Sequence, residues 1–209
     1  MFITFEGPDG SGKTTQIKLL SEALTAQGYH VLSLREPGGT PIGDQIRDVV
    51  HALRNTEMSA RAECLLYGAA RAQLVDQVLK PQLAQGGIVL CDRYADSTLA
   101  YQAYGRRLDR SAVKQIISFA TQDLQPDLTF YFDIDVEEGI QRRKMSGDDY
   151  NRMDDQTLEF HRRVRAGYLE MIAAEPARWA KIDGTQTVDQ IQVQVRSEVE
   201  KRLMDRRRE

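Results

Sequence analysis

The chain has 209 residues, and its 41% hydrophobic and 28% charged residues are typical of a soluble globular protein. This length allows one domain with a full hydrophobic core. The net charge of −3 gives no general basic surface, so we expect no nucleic-acid partner. We find no signal peptide and no apolar stretch that would span a bilayer, so we expect no membrane partner and a cytoplasmic location. Cys64 and Cys91 form no Cys-x-x-Cys pair and are expected to be reduced core thiols.

Short apolar runs alternate with longer amphipathic stretches along the whole chain. In chain order the pattern predicts a strand, a helix, a second strand, two helices, a third strand and two more helices. A fourth strand, a charged helical region, a short fifth strand and a closing helix follow. Their ranges, in the same order, are Phe2–Glu6, Lys13–Gln27, Val31–Leu34, Ile42–Leu53, Ala60–Leu83, Ile88–Cys91, Tyr94–Tyr104, Arg110–Gln122, Leu128–Phe132, Val136 to about Glu175, Trp179–Ile182 and Val188–Met204.

This alternation of strands and helices predicts βαβ units. The chain shows no internal repeat and no Pro/Gly/Ser-rich linker that would divide it. We therefore expect one α/β domain, residues 1–209, with a five-stranded and mostly parallel sheet between two helical layers. In such a sheet ligands bind at the carboxyl ends of the strands, where several of the polar motifs below fall.

The first of these motifs directly follows the first strand. It matches the pattern G-x-x-x-x-G-K-[ST] at every fixed position, and its residues are Gly7, Pro8, Asp9, Gly10, Ser11, Gly12, Lys13 and Thr14. Glycines let successive backbone N–H groups turn toward phosphate oxygens, the lysine bridges the β- and γ-phosphates, and the threonine hydroxyl binds Mg²⁺. The strand before it and the helix after it disfavour the alternative of a glycine-rich turn with an accidental lysine. The motif predicts a three-layer α/β/α P-loop NTPase fold that binds ATP with Mg²⁺.

The rest of the chain indicates the kind of P-loop protein. It has no Asn-Lys-x-Asp stretch for guanine and no room for the extra domains of motor ATPases, which leaves a small kinase. His30, His51 and His161 are interpreted as structural residues in surface contexts. Arginines are frequent at the ends of the predicted elements, and two anions brought together need cations, so a phosphate acceptor is favoured. These arginines are Arg35, Arg47, Arg71, Arg93, Arg106, Arg107, Arg142, Arg143 and Arg152.

Several motifs together resemble bacterial thymidylate kinase, over nearly the whole chain and in the order of that family. They are the phosphate loop, Arg-Glu-Pro-Gly-Gly-Thr at 35–40, Asp-Arg-Tyr at 92–94 with Ser97-Thr98 and Tyr101-Gln102, Pro-Asp-Leu-Thr at 126–129 and Ile-Asp-Gly-Thr-Gln at 182–186. The resemblance implies that ATP donates its γ-phosphate to dTMP, giving dTDP and ADP, for dTTP synthesis. It also implies a homodimer packed through helices, with Ala60–Leu83 as a candidate interface.

The resemblance further implies an acceptor site. Arg93 would hold the dTMP phosphate with Arg47 as a second candidate, and Tyr67 would stack on thymine. The other residues assigned to dTMP are Asp9, Glu36, Pro37, Arg71, Ser97, Thr98, Tyr101 and Gln102. Asp9 would lie near the sugar or a metal, and Tyr101 and Gln102 would crowd the 2′ position. By spacing alone, Tyr67 and Arg71 would be a packing pair on one helical face.

The remaining implied residues serve ATP, its metal and catalysis. Thr14 and Asp92 would hold the metal, and Asp92 would otherwise orient Arg93. The loop after the fifth strand would wrap the adenine through Asp183, Thr185 and Gln186. Residues 142–153 resemble the mobile lid of the family. Members with glycine in the phosphate loop, as at position 10 here, take the catalytic arginine from the lid. The catalytic candidates are therefore Lys13, Arg93, Arg142, Arg143 and Arg152, and a solvated charge run is the alternative for the lid arginines.

Two other functions stay open at this point. The first is a kinase for another acceptor, such as a deoxynucleoside or a different pyrimidine monophosphate. The second is a nucleotide-binding switch without transferase activity, because a motif alone does not prove catalysis.

Overall fold

A five-stranded sheet is the centre of the molecule. The structure is a computed structural model that describes residues 1–145 and 151–206. All strand pairs are parallel, in the order β2-β3-β1-β4-β5. The strands are β1 (Phe2–Glu6), β2 (Val31–Arg35), β3 (Ile88–Asp92), β4 (Leu128–Asp133) and β5 (Trp179–Asp183). β1 lies between β3 and β4, so its carboxyl end is at the middle of the sheet edge where ligands bind.

Helices cover both faces of this sheet. They are α1 (Lys13–Ala26), α2 (Pro41–His51), α3 (Ala60–Leu74), α4 (Lys80–Ala84), α5 (Ala95–Thr98), α6 (Arg110–Thr121), α7 (Val136–Met145), α8 (Leu158–Ala174) and α9 (Val188–Arg206). α1 and α9 pack together on one face, around a core that includes Phe5, Leu20 and Val195. The other face packs around Phe2 and Tyr131, against α3 and α8. The predicted three-layer α/β/α fold is confirmed by this arrangement.

Two segments with π-helical hydrogen bonding interrupt helices that the sequence pattern predicts as continuous. The first, Val75–Leu79, separates α3 from α4, and the second, Leu99–Gly105, continues directly from α5. Each insertion is short, so the hydrophobic pattern over the whole segment still reads as one helix and does not reveal it.

The charged region predicted as helical from residue 136 to about 175 contains two helices, α7 and α8. Residues 151–157 between them are non-helical, and residues 146–150 of the predicted lid lie outside the described residues. No helix in the described part of the chain is long and apolar enough to cross a membrane.

Candidate active site

The phosphate loop connects β1 to α1 at the carboxyl edge of the sheet. Gly7, Gly10 and Gly12 have φ angles of 135°, 78° and 91°, which L-residues rarely adopt. A Cβ atom at Gly7 would lie 2.7 Å from the carbonyl oxygen of Phe132, so glycine is needed there for close packing on β4. The loop leads into the N-terminus of α1, where free N–H groups and the helix dipole favour a bound phosphate.

The lysine of the loop is buried and folded over it. Lys13 Nζ donates hydrogen bonds to the carbonyl oxygens of Gly7 (3.1 Å) and Pro8 (2.8 Å). It lies 4.0 Å from the Asp9 carboxylate. Burial lowers the pKa of the Lys13 ammonium from its ordinary value, and the charge of Arg93 lowers it further. The ammonium is therefore held at the loop in a position suited to donor phosphates.

The two predicted metal residues contact each other. The Thr14 hydroxyl donates to Asp92 Oδ2 at 3.0 Å, joining α1 to the end of β3. No cluster of three or more His, Cys, Asp or Glu side chains suited to a metal occurs in the described ranges, 1–145 and 151–206. A hydroxyl and one carboxylate fit Mg²⁺, which usually keeps waters and substrate phosphates as its other ligands. The pair therefore fits a metal that arrives with ATP.

Arg93 joins the end of β3 to the phosphate loop. One guanidinium nitrogen lies 2.8 Å from Asp9 Oδ1, and the guanidinium carbon lies 5.2 Å from the centre of the Tyr101 ring. Burial would raise the pKa of Asp9, but the charges of Arg93 and Lys13 hold it well below its usual value. Burial also raises the pKa of Tyr101 to about 12, so its ring stays neutral against the cation.

A second buried arginine connects three segments of the predicted acceptor site. Arg71 of α3 is 2% exposed, and its Nε donates to Glu36 Oε2 at 2.8 Å. Its other nitrogens donate to the Thr98 hydroxyl (2.8 Å) and to the carbonyl oxygen of Tyr94 (3.0 Å). Burial raises the pKa of Glu36, and Arg71 opposes this rise. These hydrogen bonds join α3, the loop after β2 and α5 into one wall of the predicted acceptor site.

The other predicted acceptor residues lie around this wall. Arg47 Nη1 donates to the carbonyl oxygen of Pro37 at 3.0 Å, and the peptide that precedes Pro37 is cis. Tyr67 lies one helical turn before Arg71 on α3 and is half-buried. Burial raises the pKa of its phenol.

Two predicted site residues meet at a buried carboxylate that the sequence did not indicate. Gln102 Nε2 donates to Glu63 Oε1 at 2.8 Å, and Arg152 donates to Glu63 Oε2 and to the carbonyl oxygen of Val50. Arg106 also donates to both oxygens of this carboxylate, which is fully buried. Arg152 is itself only 7% exposed, and its guanidinium is held at Glu63 and at the carbonyl oxygen of Val50.

The other two lid arginines lie on α7, over the phosphate loop. A Cβ atom at Gly10 would lie 2.9 Å from the backbone nitrogen of Arg143 and 3.1 Å from Arg142 Cβ. Arg143 forms a two-bond ion pair with Asp154, at 3.0 and 2.9 Å. Arg142 donates to the carbonyl oxygen of Gly184 at 2.8 Å, and so connects α7 to the loop after β5.

That loop holds the residues predicted to wrap the adenine. Asp183 Oδ1 accepts from the backbone N–H of Thr185 (2.9 Å) and from its hydroxyl (2.7 Å), which forms a tight turn. Gln186 accepts from Gln194 of α9. Asp183 and Thr185 are exposed, and the bond from Arg142 to Gly184 places this turn beside α7.

A cavity lies between the phosphate loop, α7 and α8. Its walls include Asp9, Tyr101, Ile140, Arg143 and His161. His161 was predicted to be a surface residue, but it is half-buried, and its Nε2 has no hydrogen-bond partner in the part of the chain that the structure describes. Burial lowers the pKa of its imidazole.

Sequence reasoning missed Glu6, Glu63 and His161 as members or neighbours of this site. The sequence does contain a sign of the role of Glu6, because an acid at the end of an otherwise apolar strand indicates a buried charge with specific partners. The sequence contains no such sign for Glu63 and His161, since both lie on amphipathic helices where a charged side chain is ordinarily solvated.

Comparison with known proteins identifies the family of this site. A family model described as thymidylate kinase matches residues 5–195. The thymidylate kinase of Roseiflexus sp. (strain RS-1) is 51% identical over 211 residues, covering 96% of this chain and 93% of that protein. That of Bacillus pumilus (strain SAFR-032) is 45% identical over 196 residues, covering 93% and 92%. The crystal structure of thymidylate kinase from Ehrlichia chaffeensis superposes with a TM-score of 0.78 at 34% identity, covering 95% of this chain and 98% of that one. The chain therefore belongs to the thymidylate kinase family.

Proposed function

We propose that this chain is a thymidylate kinase, which transfers the γ-phosphate of ATP to dTMP and gives dTDP and ADP. The observation that carries the proposal is the 2.8 Å contact between Asp9 and Arg93. It places an arginine from the end of β3 at the phosphate loop. The ATP phosphates can then be held on the Lys13 side of Asp9 and the dTMP phosphate on the Arg93 side. A kinase that joins two anions needs this arrangement of cations.

On the donor side, we assign Gly7 to Thr14 to the ATP phosphates and the turn at Asp183, Thr185 and Gln186 to the adenine. Lys13 is already held at the loop by two carbonyl oxygens, so phosphate oxygens would replace these partners. Bound with ATP, Mg²⁺ supplies positive charge to the β- and γ-phosphates, and Thr14 and Asp92 would hold it.

On the acceptor side, we assign the dTMP phosphate to Arg93, with Arg47 nearby. Tyr67 would stack on thymine, and Ser97 or Thr98 would bond its edge. Arg71 is held by three buried protein partners, which supports a role for it in shaping the wall of the base pocket. The other residues that we assign to dTMP are Asp9, Glu36, Pro37, Tyr101 and Gln102.

For the transition state, we assign the lid cation to Arg143. Its backbone packs directly on Gly10 of the phosphate loop, and its side chain shares a cavity with Asp9. Arg142 is directed toward the adenine turn and Arg152 toward Glu63. A guanidinium held near the loop would stabilise the negative charge that develops on the transferring group.

We also propose that the protein is a cytoplasmic homodimer. Leu65 of α3 is 57% exposed and Phe119 of α6 is 87% exposed, on two helices that pack against each other. Large exposed apolar side chains on neighbouring helices favour a subunit interface. Light scattering after gel filtration should show a dimer that Phe119→Asp converts to a monomer. Val193→Asp, at an exposed apolar position of α9, should leave the mass unchanged.

The state of the cysteines supports the cytoplasmic location. Both are buried and free, which is typical of proteins in reducing compartments.

A coupled assay of ADP release tests the proposed reaction. The acceptors are dTMP, dUMP, UMP, CMP and thymidine, each titrated at saturating ATP and Mg²⁺. We expect dTMP to have the highest kcat/KM. A higher value for another acceptor would contradict the assignment of the base pocket. ATP binding without any acceptor-dependent turnover would instead indicate a nucleotide-binding switch.

A further inference from the structure

Glu6 is a buried acid that the proposed reaction does not use. It is the last residue of β1, it is 0% exposed, and the phosphate loop begins at the next residue. Its side chain lies on the same face of β1 as Thr4, toward α8, because side chains alternate along a strand. A buried carboxylate costs several kcal/mol unless hydrogen bonds offset the lost hydration. Its partners therefore indicate its role.

Those partners come from the acceptor side of the site and from α8. Glu6 Oε1 accepts from the backbone N–H of Tyr94 at 2.8 Å. Oε2 accepts from the Tyr168 hydroxyl at 2.7 Å and from the Ser97 hydroxyl. The two hydroxyl oxygens are also 3.0 Å apart. One carboxylate at the start of the phosphate loop thus holds three donors, two of which belong to the segment after β3.

The segment it holds includes the strained backbone of Arg93, whose φ is 71°. A non-glycine residue in this region costs about 1–3 kcal/mol and persists only when its surroundings fix it. The N–H of Arg93 donates to the carbonyl oxygen of Phe5 at 3.0 Å, and the next N–H, of Tyr94, donates to Glu6. Two adjacent residues of β1 therefore fix the peptides on both sides of the Arg93 Cα, and with them the direction of its side chain.

A second route leads from the carboxylate to the guanidinium itself. The Ser97 hydroxyl donates to Glu6 and accepts from Arg93 Nη1 at 3.4 Å. Because a hydroxyl has one proton, its donation to Glu6 leaves its lone pairs facing Arg93.

We infer that Glu6 is a positioning residue for Arg93: through the Tyr94 N–H and the Ser97 hydroxyl it holds the acceptor-phosphate arginine against the phosphate loop without touching either substrate. This inference rests on the proposed role of Arg93 in binding the dTMP phosphate. All three partners donate to the two oxygens of Glu6, and an amide in its place would turn a donor toward either the Tyr94 N–H or the two hydroxyls.

Glu6→Gln and Glu6→Asp test the inference together. The first keeps the size but replaces one acceptor oxygen by a donor, and the second keeps the charge but withdraws the carboxylate by about 1.5 Å. Both should lower kcat/KM for dTMP at least about tenfold while changing the KM for ATP less than about twofold. The ¹⁵N signal of the Arg93 side chain should also broaden or shift in both variants.

Thr4→Val is the matched control. The Thr4 hydroxyl bonds Thr129 at 2.8 Å, fully buried, on the same strand and face as Glu6 but away from Arg93. This variant should lose stability with unchanged kcat/KM for dTMP. A folded Glu6 variant whose kcat/KM for dTMP stays within twofold of the wild type would overturn the inference. Equal losses of kcat/KM for ATP and for dTMP would also overturn the inference. If the wild-type enzyme prefers another acceptor, the proposed function fails, and the variants then report on that acceptor.

Discussion

The carboxylate of Asp9 lies between two cations to which we assign different functions, 2.8 Å from Arg93 and 4.0 Å from Lys13. Lys13 belongs to the donor loop and Arg93 to the end of the neighbouring strand. Both substrates carry phosphate groups, so binding them requires that the two cations be held near each other despite their repulsion. Asp9 neutralises part of that repulsion, which its lowered pKa reflects.

Arg93→Ala should therefore affect the acceptor more than the donor. Loss of the guanidinium removes the proposed partner of the dTMP phosphate, and we expect kcat/KM for dTMP to fall by roughly 10²–10³. The KM for ATP should change by only a few fold. Initial rates with each substrate varied in turn measure both values.

Lys13→Ala is the comparison for that experiment. It should abolish turnover with the fold intact, because Lys13 lies on the donor side. Equal losses of kcat/KM for ATP and for dTMP in Arg93→Ala would mean that Arg93 only supports the phosphate loop.

The donor half of this site is predictable from the sequence because its residues are contiguous. Eight residues that run from the end of β1 into the first turn of α1 determine the phosphate loop, and its backbone angles follow from the glycines. Arg93 is predictable as a residue at a strand end. The partners of the buried ions are not, since Arg71 meets Glu36 from 35 residues away and Arg152 meets Glu63 from 89 residues away. Such pairs depend on how the helices pack, which hydrophobic periodicity does not determine.

The lid arginines should differ in their effects. Arg143→Ala should lower kcat by about 10² or more, because a cation beside the phosphate loop is lost. Arg152→Ala should mainly lower the free energy of unfolding, by up to about 3–5 kcal/mol, because it leaves the buried Glu63 with fewer partners. Urea unfolding and kcat at saturating substrates, measured on both variants, separate the two roles.

Asp154→Asn is the control for Arg143, since it weakens the same ion pair but keeps the guanidinium. It should reduce kcat less than about tenfold. A kcat loss in Arg152→Ala that exceeds the loss in Arg143→Ala would assign the transition state to Arg152 instead.

Gly10→Ala should disturb the contact between the phosphate loop and α7. A methyl group there would lie 2.9 Å from the backbone nitrogen of Arg143, so α7 must move. Gly86 has nearly the same φ, 77° against 78°, with open space around the position of a Cβ atom. Alanine at either position adds about 1–2 kcal/mol of left-handed strain. Only Gly10→Ala should also lower kcat, measured by ADP release. Equal kcat values in the two variants would show that this close packing does not matter for turnover.

His51 should make the stability of the fold depend on pH. It ends α2 half-buried, and burial lowers its pKa from 6.5 to about 4. The charged groups that act on it are Arg47, Asp9, Arg93 and Arg152. Between pH 6.5 and pH 4 the unfolded chain binds a proton at His51 and the folded chain does not, so stability falls as the pH falls through this window. Above pH 6.5 the imidazole is neutral in both states and contributes no slope.

His51→Gln removes this contribution. The free energy of unfolding of the wild type should decline more steeply than that of the variant between pH 6.5 and pH 4, by up to about 1.4 kcal/mol per pH unit. Glu6, whose pKa burial raises to about 7, has the opposite dependence, since the folded chain binds its proton more tightly. That contribution is present in both proteins and cancels in the difference between their curves. Urea titrations at half-unit intervals from pH 8 to pH 4.5 measure the difference, and parallel curves would show that His51 gains its proton equally well in the folded state.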